Sequence, residues 1–192
     1  MTLRLSLLLL ATTLLSAAPT PQQLVVPGRS LGQVQLGLAP ATAHLPTTPP
    51  NSTDGAMGKA WASWYGARPA HGAPTELDVY TAPPPGDDGS HRSVQVVRST
   101  SPYFQLANGL HAGSNLRSIR AAYGALPLAT TYSVPGGVRY LYDAGPKGIA
   151  FETNGKALDS KCTAVIVHLP KLAAKKFYVS MGQYLHGRTK PR

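Results

Sequence analysis

This chain of 192 residues has little of several things, and each shortage narrows what it can be. It has one cysteine, Cys162. An intrachain disulfide is therefore excluded, and packing must hold the fold. Cys162 lies in the strand-like run KCTAVIVHL, with no nearby His or Asn pattern to activate it. A part-buried structural thiol is the favoured reading, ahead of an intermolecular disulfide or a reactive nucleophile. Acids are scarce as well: eight Asp and Glu face 18 Lys and Arg, a formal net charge of +10. The one adjacent acidic pair, Asp87–Asp88, sits in the loop PPPGDDGS (83–90). Neighbours in a Pro/Gly loop lack the fixed geometry that acid–base catalysis needs. His44, His71, His91, His111, His168 and His186 form no HxH, HExxH or Cys-plus-His spacing. A sequence-local metal site is unsupported. There is no GxSxG elbow, and GRSLGQVQLG fits neither a P-loop nor a dinucleotide fingerprint. No catalytic residue, metal ligand or cofactor is expected.

Long apolar runs are missing too, except at the start. MTLRLSLLLLATTLLSAAPTP has Arg4, then an apolar run from Leu5 to Leu15, too short for a comfortable membrane span. Small residues and prolines follow. The reading is a signal peptide over residues 1–20 and an exported chain, periplasmic, in the cell envelope or secreted. No Cys follows the run to carry a lipid.

What is present is a phrase that occurs twice, YGARP at 65–69 and YGALP at 123–127. Before the second copy, Ser114 or Asn115 offers an N-cap, and Leu116, Ile119 and Tyr123 recur at helical spacing. Gly124 and Pro127 stop that helix. Strand-like runs follow: TTYSV, then 138–144, 148–152 and 162–169. Before the first copy, Thr53 or Asp54 offers a cap, and Met57, Trp61, Trp64 and Tyr65 suit one helical face. ELDVYTA (76–82) and RSVQVVRS (92–99) then read as strands. Upstream, 24–38 reads as a loop and short strand leading to a weak helix near Ala39–Leu45, and 45–53 as a linker.

These spacings predict an α+β fold of two similar helix-then-antiparallel-sheet units, packed as one compact body with a basic C-terminal tail. The units span 24–100 and 101–170, and the tail 171–192. PGRSLGQVQLGL and NGLHAGSNLRSIRAAYG, each leading towards sheet, resemble the tandem-repeat fold of β-lactamase inhibitory protein and of small outer-membrane-assembly lipoproteins. That resemblance implies helices laid on an antiparallel sheet and a role in protein binding. The chain departs from it in lacking the inhibitor's disulfides and the lipoproteins' lipidated Cys.

The tail holds Lys171, Lys175, Lys176, Arg188, Lys190 and Arg192 and no acid. These six are the candidate binding residues. A helix through 172–185 would align Ala173, Phe177, Met181 and Tyr184, either to lie on an anionic surface or to dock on the body. The expected function is an exported, non-enzymatic protein that binds another protein or an envelope component. A second reading is a polyanion- or membrane-surface-binding protein acting through the tail, and a third is an enzyme whose site is assembled only in space. Nucleic acid is the less natural partner for an exported chain.

Overall fold

Strands dominate the protein. The structure, a computed structural model, describes residues 19–66, 68, 73–84, 86–89, 91–170, 172 and 174–187, and the side chains of 174–176 also lie outside that description. The strands are β1 (Leu24–Val26), β2 (Ser30–Leu31), β3 (Val34–Gln35), β4 (Ser52–Ala56), β5 (Lys59–Tyr65), β6 (Glu76–Ala82), β7 (Ser93–Ser99), β8 (Gln105–Leu106), β9 (Leu128–Val134), β10 (Gly137–Ala144), β11 (Ile149–Thr153) and β12 (Cys162–His168). The helices are α1 (Leu116–Tyr123) and α2 (Ala174–Gly187). The main sheet has eight strands in the order β4-β5-β6-β7-β12-β11-β10-β9, and a small sheet has the order β3-β2-β1-β8. Two antiparallel meanders, β4–β7 and β9–β12, thus meet where β7 pairs antiparallel with β12.

This corrects the expected pair of helix-then-sheet units. The segment 57–65 is a hairpin turn and a strand, whereas Leu116–Tyr123 is a helix. Met57 and Gly58 both have positive φ, 49° and 75°, as in the two-residue turns that match strand twist. Trp61 and Trp64, three apart, suit one helical face, yet in β5 they point to opposite faces of the sheet. Each is buried there, because each face has its own core. The shared phrase therefore closes different elements, Tyr65 ending a strand and Tyr123 a helix. Thr53 and Asp54, read as caps, lie in β4, and the weak helix near 39–45 is a series of turns.

The second helix reading holds. Asn115 caps α1, its side chain accepting from the Ser118 N–H, and the Gly124 N–H closes the end on the Arg120 carbonyl. One core lies between the main sheet, the small sheet and α1, around Leu31, Leu116, Ile119 and Phe151. The other lies under α2, where Trp61, Tyr80, Leu141 and Ile166 meet Phe177, Tyr178, Met181 and Tyr184.

α2 also shows how the sheet is bent. The Tyr184 hydroxyl donates to the Ser52 carbonyl on edge strand β4 at 3.2 Å. At Gly182 an added Cβ would sit 2.9 Å from the Tyr132 Cβ on the other edge strand, β9. Two helical residues are about 3 Å apart along the axis, while the edges of a flat eight-stranded sheet are about 34 Å apart. The sheet must therefore curl around α2 as a trough, with β4 and β9 as its lips. Gly182, which the tail's helical pattern leaves unexplained, permits that close approach.

Candidate functional site

Several polar or open regions stand out among the described residues, and the most polar is internal. On the face towards α2, register places Ser63, Asp78 and Arg98 side by side across β5, β6 and β7. Ser63 Oγ donates to Asp78 Oδ1 at 2.5 Å. Arg98 Nη1 lies 2.5 Å from Asp78 Oδ2 and 3.2 Å from Glu76 Oε2. The same guanidinium reaches across β12 to Glu152 on β11, with Nε donating to Oε2 at 2.9 Å and Nη2 to Oε1 at 3.2 Å. Glu152 also accepts from the Tyr132 hydroxyl and from Thr163 Oγ1 at 2.6 Å, and Arg139 Nε stands 3.3 Å away. Burial works to push Arg98 down, but the charges of Glu152 and Asp78 outweigh it and hold it well above its ordinary value. Burial works to raise Glu152, yet Arg98 and the surrounding donors hold its carboxyl below the usual range. Burial first, and then the Glu152 charge, keeps Tyr132 well above an ordinary phenol. Asp78 and Glu152 are 0% exposed and Arg98 4%. The charges at its centre are shut off from solvent, and the belt ties the two meanders together across their junction.

Beside it, His168 on β12 stands between two acceptors. Its Nδ1 is 2.9 Å from the Leu169 carbonyl, and its Nε2 is 3.1 Å from Asp143 Oδ1. A carbonyl only accepts, so the contact with Leu169 calls for a hydrogen on Nδ1. Phe177 and Tyr178 of α2 pack on the ring. The Tyr178 hydroxyl makes no hydrogen bond of proper geometry. Burial, followed by the nearby Asp143 charge, pushes that phenol far up. This cluster, too, is sealed inside.

The tail residues are placed only in part. Lys171, Arg188, Lys190 and Arg192 lie outside the described residues, as do the side chains of Lys175 and Lys176. The six candidate binding residues therefore lie outside the described side chains. The helix that carries two of them is real, and Phe177, Met181 and Tyr184 share its buried face as the spacing predicts. That face is docked on the sheet, so it is not available to enter a bilayer. Cys162 is buried at 3% exposure and contacts the Ala164 carbonyl at 3.2 Å. Burial pushes its thiol far up, which leaves it unreactive. Asp87, Asp88 and His91 bring ligand atoms within 4.8 Å of one another on an exposed loop. Asp87 is already engaged there: its Oδ1 accepts from the Gly89 N–H, which lowers its carboxyl together with His91.

Two open grooves lie on the surface of the described residues. One, of about 360 Å³, runs between the free edge of β9 and α2, with Thr131, Ser133, Val179 and Gln183 in its lining. The other, of about 440 Å³, lies on the small sheet around Arg29 and His44. Sequence patterns pointed to neither, because both depend on which strand ends up at an edge or facing outward.

No known family matches this sequence, and no curated protein matches it either. Among solved structures it is similar to the uncharacterized protein YfeY from Escherichia coli, at 9% identity over 74% of this chain and 98% of that chain, with a TM-score of 0.39. A likeness that slight carries no argument about fold or function.

Proposed function

We propose that this is an exported, non-enzymatic binding protein that takes up an extended segment of another protein along β9. The observation that carries the reading is the character of that edge. β9 ends the sheet, is seven residues long and reads LATTYSV, without charge or proline. Proteins ordinarily blunt a free edge with Lys, Pro, a bulge or brevity. β9 has one such irregularity, at Ala129 near its start, but from Thr130 to Val134 it pairs with β10 in unbroken register, and exposed apolar side chains lie around it, Leu128 (41%) in the strand itself, Val138 (45%) on β10 and Val179 (55%) on α2. A strand added there would gain main-chain hydrogen bonds from β9 and lay alternate side chains into the groove against α2. Among the described residues, the clustered titratable groups are buried in the core or tied up in the Asp87 loop, which supports binding over catalysis.

Panning a random heptapeptide library should enrich uncharged sequences with alternating apolar residues. The double variant Thr131→Lys, Ser133→Lys should weaken capture of the enriched peptides by about tenfold or more, since edge charges oppose pairing. It should leave the melting temperature within a few degrees of wild type. Enrichment of charged peptides, or unchanged capture by the lysine variant, would reject the reading.

A second reading, polyanion binding, draws on a basic face as well as the tail. Arg120, Lys147 and Lys156 each stand over a tyrosine ring, at 5.8, 5.0 and 5.4 Å from the centroids of Tyr142, Tyr123 and Tyr140. Removing residues 188–192 should shift heparin elution to markedly lower salt if the tail supplies the affinity. An unshifted peak would retire the tail as the binding element.

A further inference from the structure

The outer face of the small sheet carries the other groove, and we propose that it binds an acidic saccharide, a sugar bearing a carboxylate, with Arg29 on the carboxylate. The strand register builds its floor. Val25, Leu31 and Val34 pair across β1, β2 and β3 and face the core. The adjacent row, Val26, Ser30 and Gln35, therefore faces outward. That row lies under a concavity of about 440 Å³, rimmed by Gln22, Arg29, Gln33 and His44. The size falls within the range of small-ligand sites.

The polar groups of this groove are unspent. Among the described residues, Gln22, Arg29, Ser30, Gln33, Gln35 and His44 give no side-chain hydrogen bond or ion pair to another protein group. Among the described residues no acid lines the groove, and Arg29 is the one formal charge there. Three of the eight acids in the chain, Asp78, Asp143 and Glu152, are buried. The surface is accordingly more basic than the composition suggests, and it favours an anionic ligand.

Backbone geometry points to the same place. The Gln35 N–H donates to the Ala43 carbonyl at 3.1 Å, pinning the preceding turns onto β3. The next residue, His44, is then held at φ 57°, a conformation that costs an L-residue something and clusters at functional sites. Gly32, at φ 56°, lies so close that a Cβ would sit 2.7 Å from the Gln22 carbonyl oxygen. Only glycine lets that turn form the wall of the groove.

The donor set selects the ligand class. A guanidinium forks onto a carboxylate. Three amides, a hydroxyl and an imidazole can each donate and accept, as the adjacent hydroxyls of a sugar require. Val26 and Pro21 offer apolar surface to the C–H face of a ring. A nucleotide base would find no Phe, Tyr or Trp among the described lining residues to stack on.

The test is titration of the full chain, followed by amide NMR shifts and by calorimetry, with a glucuronate-containing disaccharide, its neutral glucose counterpart and inorganic phosphate. The acid sugar should move the amides of Gln33 and Gln35 and bind at least about tenfold more tightly than the neutral one. Arg29→Gln should remove that preference without lowering the melting temperature. His44→Gly should raise the melting temperature, because glycine relieves the strain, while weakening the acid sugar severalfold. The proposal is overturned if neither sugar shifts these amides at millimolar concentration, if the neutral sugar binds equally, or if Arg29→Gln binds like wild type. Phosphate binding as tightly as the acid sugar would make this a simple anion site and also overturn it. His44→Gly retaining full affinity would remove His44 from the contacts and overturn the set of residues assigned.

Discussion

Arg98→Met should destabilise the protein by about 3–5 kcal/mol, the range for breaking a buried ion pair on one side. The methionine fills similar space, so the loss is electrostatic rather than a cavity effect. It leaves Asp78 and Glu152, both fully buried, without the cation that contacts each of them. Tyr132, Thr163 and Arg139 still surround Glu152, which places the loss within that range and short of complete unfolding. Arg98→Lys should fall between variant and wild type, since an ammonium keeps the charge but not the two-pronged contact. Urea denaturation at neutral pH measures all three. A loss below about 1 kcal/mol, the worth of a surface pair, would show that the belt is not the tie described.

The pH dependence has a definite sign. In the native protein the Glu152 carboxyl is held below its ordinary value, burial being outweighed by Arg98. The unfolded chain then binds more protons than the native one across the interval between the two values. Stability from this pair is whole above the unfolded value of about 4.3, and it drains as pH falls through that value towards the native one. In Arg98→Met burial acts on Glu152 with its chief opponent gone, so acidification should relieve the variant. The gap between variant and wild type should therefore narrow on going from neutral pH to about pH 4. A gap that widens would contradict the assignment of Arg98 as the group holding Glu152 down.

The second large effect concerns α2. A chain ending after residue 173 should fail to unfold cooperatively and should bind hydrophobic dyes. The truncation removes Phe177, Tyr178, Met181, Tyr184 and Leu185 from the core, and it bares Trp61, Tyr80, Val96, Leu141 and Ile166. It also breaks the contacts that hold both lips of the trough, Tyr184 to Ser52 on one side and Gly182 to Tyr132 on the other. Met181→Ala grades the same prediction, with an expected loss of about 2–5 kcal/mol for a fully buried side chain. Removing residues 188–192 alone should leave the cooperative transition intact. If the chain ending after 173 melted like the full chain, α2 would be an appendage and the trough would need no filling.

Much of the second meander was legible from spacing. The strands read at 138–144, 148–152 and 162–169 appear within a residue or two at each end, and α1 has the cap and stop that Asn115 and Gly124 announce. The first half misled. Trp61 and Trp64 read as one helical stripe because apolar residues three apart fit that face, and they fit a strand equally well when both of its faces are covered. The signal for the true structure was Met57–Gly58 between two short runs, a hairpin turn without its usual Asn or Asp.

The candidate sites were less legible, for reasons of the same kind. Asp78, Arg98 and Glu152 are separated by 20 and 54 residues in the chain and meet only through strand register. Arg29 is an ordinary surface cation until β1–β3 fold over and leave, among the described residues, no acid in the groove beside it. The free edge of β9 exists because the meanders join at β7 and β12, a choice of partner that local pattern does not encode. By itself the amino-acid order marked α1, the buried stripe of α2 and the strands β6, β7 and β9–β12, since helix caps and apolar periodicity act between near neighbours. Tertiary structure alone decided which strands are edges, which face each tryptophan takes, and where the few acids are neutralised, because those outcomes follow from pairing between segments far apart in the chain.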